Sequence, residues 1–137
     1  MRRMSVLYVE DEEADVLFMR RAFQGAAPGH ELHSVANGRD AIAYLTGRDD
    51  YSDRNRHPLP SLLLLDLNLP GLSGFEVLKW VRAQPEFEQL PVVVFSSSTR
   101  PEDKALAVDL GADEYIEKPP SGHQFVKVVE QLRERWL

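Results

Sequence analysis

Cysteine is absent from the 137 residues, which excludes disulfides, thiolate metal sites and cysteine nucleophiles together. Positive charge is also short. Sixteen lysines and arginines stand against 22 aspartates and glutamates, a net charge of -6, and no basic stripe is present to hold a nucleic-acid backbone. Long apolar runs are missing as well. The β-prone stretch from Ser5 meets Glu10 to Glu13 after five residues. Arg2 and Arg3 imitate the start of a signal peptide, yet neither an export signal nor a transmembrane span fits, so a cytoplasmic protein is expected. The four histidines (His30, His33, His57, His123) show no ligand spacing and fall on different segments. No histidine metal site or phosphohistidine is expected on this chain. Internal repeats and low-complexity tracts are absent too.

What remains is the composition of a globular domain, 43% hydrophobic and 28% charged, in a chain long enough for one core. Five apolar stretches alternate with five helical patterns. The first strand, β1, is Ser5–Val9, and helix α1 covers about 12–26, with Phe18, Met19, Ala22 and Phe23 at the spacing of a buried face. A more polar β2 at 31–36 suits a sheet edge. Asn37 caps α2, Gly38–Thr46, which should bury Ala41, Ile42 and Leu45. The least ordered-looking part is 47–60, read as a solvated insertion.

Strand β3 is the central stretch: four leucines, Leu62–Leu65, run straight into Asp66-Leu67-Asn68-Leu69-Pro70-Gly71. A short continuous apolar run bounded by turn residues reads as a strand buried on both faces. Ser73 and Glu76 form a capping box for α3, which carries Val77, Leu78 and Val81 inward until Pro85. Strand β4 at 91–95 runs into Ser96. Thr99 and Glu102 make a second box, opening α4 to Leu110, with Gly111 as its stop. Strand β5, Glu114–Glu117, precedes Lys118-Pro119-Pro120, and Ser121 with Gln124 opens α5. Its stripe of Phe125, Val128, Val129, Leu132 and Trp136 is core, with Trp136 surplus to one monomer. Strands separated by helical crossovers imply an α/β fold: a five-stranded parallel sheet between two helical layers, with the flavodoxin-like order 2-1-3-4-5.

That order brings the polar residues at the strand ends to one edge: Glu10 and Asp11 after β1, Asp66 after β3, Ser96 after β4 and Lys118 after β5. Singly, each has an ordinary reading as cap, turn or solvated charge. Together, three crowded carboxylates call for protonation or a cation. An all-oxygen set with open positions suits Mg²⁺, which also binds phosphate oxygens. A carboxylate beside such a metal can attack phosphorus to give an aspartyl phosphate, a reaction that depends mainly on positioning and charge neutralisation.

Glu10-Asp11, Asp66-Leu-Asn-Leu-Pro-Gly, Ser96 and Lys118-Pro119 resemble the receiver domain of two-component response regulators, over essentially the whole chain. The resemblance implies Asp66 as phosphoacceptor and Asp11 as a direct Mg²⁺ ligand. Glu10 acts at the metal site, and the Asn68 backbone carbonyl completes the protein ligands. It also implies Lys118 paired with the phosphoryl group, a cis peptide before Pro119, and Ser96 with Tyr115 as the switch pair. Glu10 departs from the aspartate many receivers carry there, and Pro120 stiffens the Lys118 loop. Because the chain stops at Leu137, just past α5, a single receiver domain spanning 1–137 without an output domain is expected. Its function would be to take a phosphoryl group from a sensor histidine kinase and signal through its surface to a downstream protein. Self-phosphorylation from phosphodonors and autodephosphorylation would be its only catalysis. The long loop before β3 and the Glu-Asp-Glu-Glu-Ala-Asp opening of α1 look like the small regulators paired with phytochrome-type kinases. In that group homodimers form through the α4–β5–α5 face, for which Val108, Leu110 and Trp136 are candidates. No DNA or membrane contact is implied.

Two other classes compete. An aspartate-nucleophile phosphatase would need a second aspartate where Asn68 stands, and Asn68 cannot transfer a proton. A flavin-type module would need a phosphate-cradling loop after β1, where Glu10 to Glu13 repel phosphate. An unphosphorylated interaction module is the remaining alternative.

Overall fold

Successive side chains of a strand point to opposite faces of its sheet, so a strand apolar at every position must be covered on both sides. The three central strands are built this way: β1 (Ser5–Val9), β3 (Leu62–Leu65) and β4 (Val92–Ser96) are buried throughout. The structure, a computed structural model, describes residues 3–137; Met1 and Arg2, the latter half of the basic pair noted above, lie outside it. The sheet is parallel in the order β2-β1-β3-β4-β5, with β2 (Glu31–Val35) and β5 (Glu114–Glu117) at the edges.

One face carries Val6, Tyr8, Leu62, Leu64, Val93 and Phe95 against α1 (Glu13–Ala26) and α5 (Phe125–Trp136). The other carries Leu7, Val9, Leu63, Leu65 and Val92 against α2 (Gly38–Thr46) and α3 (Gly74–Ala83). Full burial of each such leucine contributes about 1.5–3 kcal/mol, before the opposing chain entropy. Helix α4 (Pro101–Asp109) is held differently. Of its nine residues Ala107 alone is buried, against Leu67 and Val94.

Local chemistry sets most boundaries. Asn37 Oδ1 accepts the Asp40 N–H at 2.8 Å, and Ser73 Oγ accepts the Glu76 N–H at 3.3 Å. Ser121 N–H donates to Gln124 Oε1 at 3.2 Å, although this box opens a single 3-10 turn that then leads into α5. The Thr99 box does not form. Arg100 is the N-cap of α4 and makes no side-chain cap, while Ser98 Oγ does the local work, accepting the Arg100 N–H and donating to Asp103 Oδ2 at 2.6 Å.

Two core assignments change. Tyr44 rather than Ile42 fills the interior from α2, and Phe18 is half-buried, its ring edge-on to Phe125. Segment 47–60 is solvated as expected, with none of its residues buried, but it is tied down rather than loose. Tyr51 and His57 stack on Tyr44, and the Arg54 guanidinium donates to the carbonyls of Tyr44, Leu45 and His57, closing the C-terminus of α2. Trp136 belongs to the monomer: its indole N–H donates to Glu114 Oε1 at 2.8 Å.

Candidate functional site

Register brings the strand ends together. Val9 pairs with Leu65 and Leu65 with Val94, so the chain leaves β1 and β3 side by side, with Asp66 N–H donating to the Val9 carbonyl at 3.2 Å. One strand further, the Lys118 N–H donates to the Ser96 carbonyl at 2.8 Å. The loop after β3 is held tightly: a Cβ added at Gly74 would sit 2.1 Å from the Asp66 carbonyl oxygen, so only glycine lets α3 begin there.

Glu10, Asp11 and Asp66 each offer a carboxylate oxygen, all within 4.8 Å of one another, with Glu10 and Asp66 buried and Asp11 exposed. Lys118 Nζ, 11% exposed, reaches into this group, 2.6 Å from Glu10 Oε1, 2.9 Å from Asp15 Oδ2 and 3.4 Å from Asp66 Oδ2. Glu10 is also held by the Tyr8 hydroxyl, which donates to Oε1 at 3.1 Å, and by the Glu12 N–H on Oε2 at 3.2 Å. Burial pushes the Glu10 carboxyl up to about 7; the Asp66 charge adds to this and Lys118 opposes it. Burial works to lower the Lys118 ammonium, but its hydrogen bonds to Glu10 and Asp15 and the Asp66 charge outweigh it and hold it raised. Burial, then the charges of Glu10 and Asp15, keep the Tyr8 phenol protonated.

This donor set fits a small hard cation. It supplies three oxygens within 4.8 Å of one another, fewer than the six that Mg²⁺ takes, which leaves positions for water or a phosphoryl oxygen. The other expected residues lie around it. Asn68 is exposed, with its N–H donating to Asp66 Oδ1 at 3.4 Å. Ser96 is fully buried, and its Oγ accepts the Ser98 N–H at 3.2 Å. Tyr115 is half-buried and donates its hydroxyl to the Ser98 carbonyl at 2.8 Å, so Ser98 contacts both members of the expected switch pair.

One expectation is corrected. No cis peptide occurs among the described residues, so the Lys118–Pro119 bond is trans. An X–Pro bond keeps a trans preference of about 0.5–1 kcal/mol, and Lys118 reaches its partners without the rarer isomer. Sequence reading also missed Tyr8 and Asp15. Tyr8 looks like one more strand apolar. Asp15 looks like an ordinary first-turn acid favoured by the helix dipole, and no local pattern sets it apart.

Residues 6–130 match the response regulator receiver domain family. The chain belongs to that family. The receiver domain is a phosphoacceptor rather than an enzyme that turns over a separate substrate. This receiver is 32% identical to response regulator Rcp1 of Synechocystis sp. over 132 residues, 96% of this chain and 88% of the relative. It superposes on the phosphorylated cyanobacterial phytochrome response regulator RcpA with a TM-score of 0.90 and 33% identity, covering 98% of this chain and 94% of that one. A Mn²⁺-bound form of Rcp1 is similar at a TM-score of 0.86 and 31% identity, with the same coverage. Among the described residues, no helix of the receiver is long and apolar enough to cross a membrane.

Proposed function

We propose that Asp66 accepts a phosphoryl group from a phosphohistidine of a phytochrome-type sensor kinase, in a Mg²⁺-dependent reaction, and that the modified chain signals to a downstream protein through α4, β5 and α5. The observation that carries this reading is the setting of Asp66, a buried carboxylate with an ammonium 3.4 Å away and two further carboxylates within 4.8 Å. An Asp66 oxygen attacks phosphorus, the phosphorus–nitrogen bond breaks, and its electron pair stays on the donor imidazole. A bound divalent cation supplies charge neutralisation at the phosphoryl oxygens. Asp11 and Asp66, with Glu10 and the Asn68 carbonyl, would hold it. Lys118 then donates to a phosphoryl oxygen and Ser96 supplies a directional hydroxyl. Tyr115 turns inward as Ser96 moves, breaking its hydrogen bond to the Ser98 carbonyl.

The kinase class rests on likeness to RcpA and Rcp1, the first of which is a phytochrome response regulator. A homodimer would use the same α4–β5–α5 face, where Leu106 and Val108 of α4 are 43% and 61% exposed. The test is intact mass after incubation with acetyl phosphate, with and without Mg²⁺, on wild type and Asp66→Asn. One phosphoryl adduct that needs both Mg²⁺ and Asp66 is expected. No adduct in a rapidly quenched sample, with beryllofluoride also failing to bind, overturns the reading in favour of an unphosphorylated interaction module.

A further inference from the structure

We propose that Asp15 positions Lys118: of the three carboxylates that bind this ammonium, Asp15 alone lies outside the cation cluster, and it keeps Lys118 beside Asp66 once a metal ion has entered. This rests on Asp66 being the phosphoacceptor. A lysine ammonium has three N–H donors and no acceptor, and here all three face carboxylates: Glu10, Asp15 and Asp66. Two of those partners, Glu10 and Asp66, are also cation-site oxygens. A divalent ion drawn to that site competes with Lys118 for the same two carboxylates, and two positive charges side by side repel. Lys118 would be driven outward just when phosphoryl transfer needs it.

Asp15 opposes that movement. It sits in the first turn of α1, whose Met19, Ala22, Phe23 and Ala26 are buried in the core, so its backbone is fixed relative to the sheet. Its carboxylate is 24% exposed and holds Lys118 Nζ at 2.9 Å, across 103 residues of chain. The separation to Asp66 is the longest of the three, 3.4 Å, so the donor nearest the acceptor is the least committed and the first available to a phosphoryl oxygen. In this arrangement Asp15 takes one donor permanently and leaves the others to be exchanged between Glu10, Asp66 and the phosphoryl group.

The test is a set of variants of the full chain: Asp15→Ala, Asp15→Asn and Asp15→Glu, each also combined with Lys118→Ala. Mg²⁺ affinity is read by calorimetry, Mg²⁺-dependent beryllofluoride affinity by competition, acetyl phosphate labelling by intact mass, and folding by thermal melting. Asp15→Ala and Asp15→Asn are expected to lower the labelling rate at saturating Mg²⁺ and the beryllofluoride affinity about tenfold. Mg²⁺ affinity should stay within about threefold, and Asp15→Glu should recover part of the loss. In the Lys118→Ala background, removing Asp15 should cost nothing further in beryllofluoride affinity. Wild-type labelling by Asp15→Ala overturns the proposal, and so does an equal loss with Lys118 already removed. A wild-type chain that takes no phosphoryl group removes the phosphoacceptor reading itself, and the role of Asp15 falls with it.

Discussion

Lowering the pH should weaken Mg²⁺ binding through one identifiable proton. Glu10 is fully buried, and its carboxyl is displaced from an ordinary value near 4.5 to about 7. A metal ion requires the carboxylate, so below about pH 7 binding must first expel a proton. Affinity should then fall about tenfold for each further pH unit, about 1.4 kcal/mol each, and level off above pH 7. The stability of the metal-free protein should run the opposite way. Because the folded-state value is raised, the contribution is fully present below about pH 4.5 and is lost as pH climbs through about 7. The displacement, in which the opposing pull of Lys118 is already included, corresponds to roughly 3 kcal/mol. Calorimetric Mg²⁺ titrations from pH 5.5 to 8.5, at fixed ionic strength and in buffers of different ionisation enthalpy, read both the affinity and the proton count. Glu10→Gln should bind more weakly with a nearly flat profile. A flat wild-type profile between pH 6 and 8, or an unchanged midpoint in Glu10→Gln, refutes the assignment.

Three further perturbations have definite outcomes. Gly74→Ala places a methyl group 2.1 Å from the Asp66 carbonyl oxygen, so the loop after β3 must move; acetyl phosphate labelling should fall at least tenfold, with a melting temperature lowered by several degrees. Arg54→Ala strips partners from the carbonyls of Tyr44, Leu45 and His57, and should cost about 1–3 kcal/mol in urea denaturation while speeding hydrogen exchange in residues 47–58. Leu64→Ala opens a cavity on the α1–α5 side of the sheet and should cost about 2–5 kcal/mol by the same denaturation, with labelling retained under folding conditions.

The strand order and the residues at the strand ends were legible because they depend on coarse signals. Leu62–Leu65 is apolar at every position and stops at a polar residue, and the same pattern at Val9–Glu10 and Phe95–Ser96 marks the sheet's carboxyl edge. What escaped depends on long-range contacts that no local pattern encodes. Asp15 meets Lys118 across 103 residues, and Arg82 fastens α3 to the carbonyls of Phe87, Leu90 and Gly111. Segment 47–60 read as solvated because of its charged and turn-forming residues, yet Arg54 spends its charge on backbone carbonyls and Tyr51 and His57 add aromatic surface to Tyr44. The Thr99 box failed because Ser98, one residue earlier, offers its hydroxyl to the same turn.

The thin seating of α4 gives the molecule an element that is cheap to displace. Lifting it uncovers the Ala107 methyl group together with part of Leu67 and Val94 beneath it, far less than the other helices bury, and parts contacts at its rim: the Lys104–Glu117 ion pair and the Lys104 ammonium 5.8 Å from the Tyr115 ring centre. Coupling between distant sites commonly amounts to about 1–3 kcal/mol. A perturbation of that size at Ser98, where the loop before α4 is tied to both Ser96 and Tyr115, therefore bears first on the most thinly seated helix and not on the leucine-filled centre of the sheet.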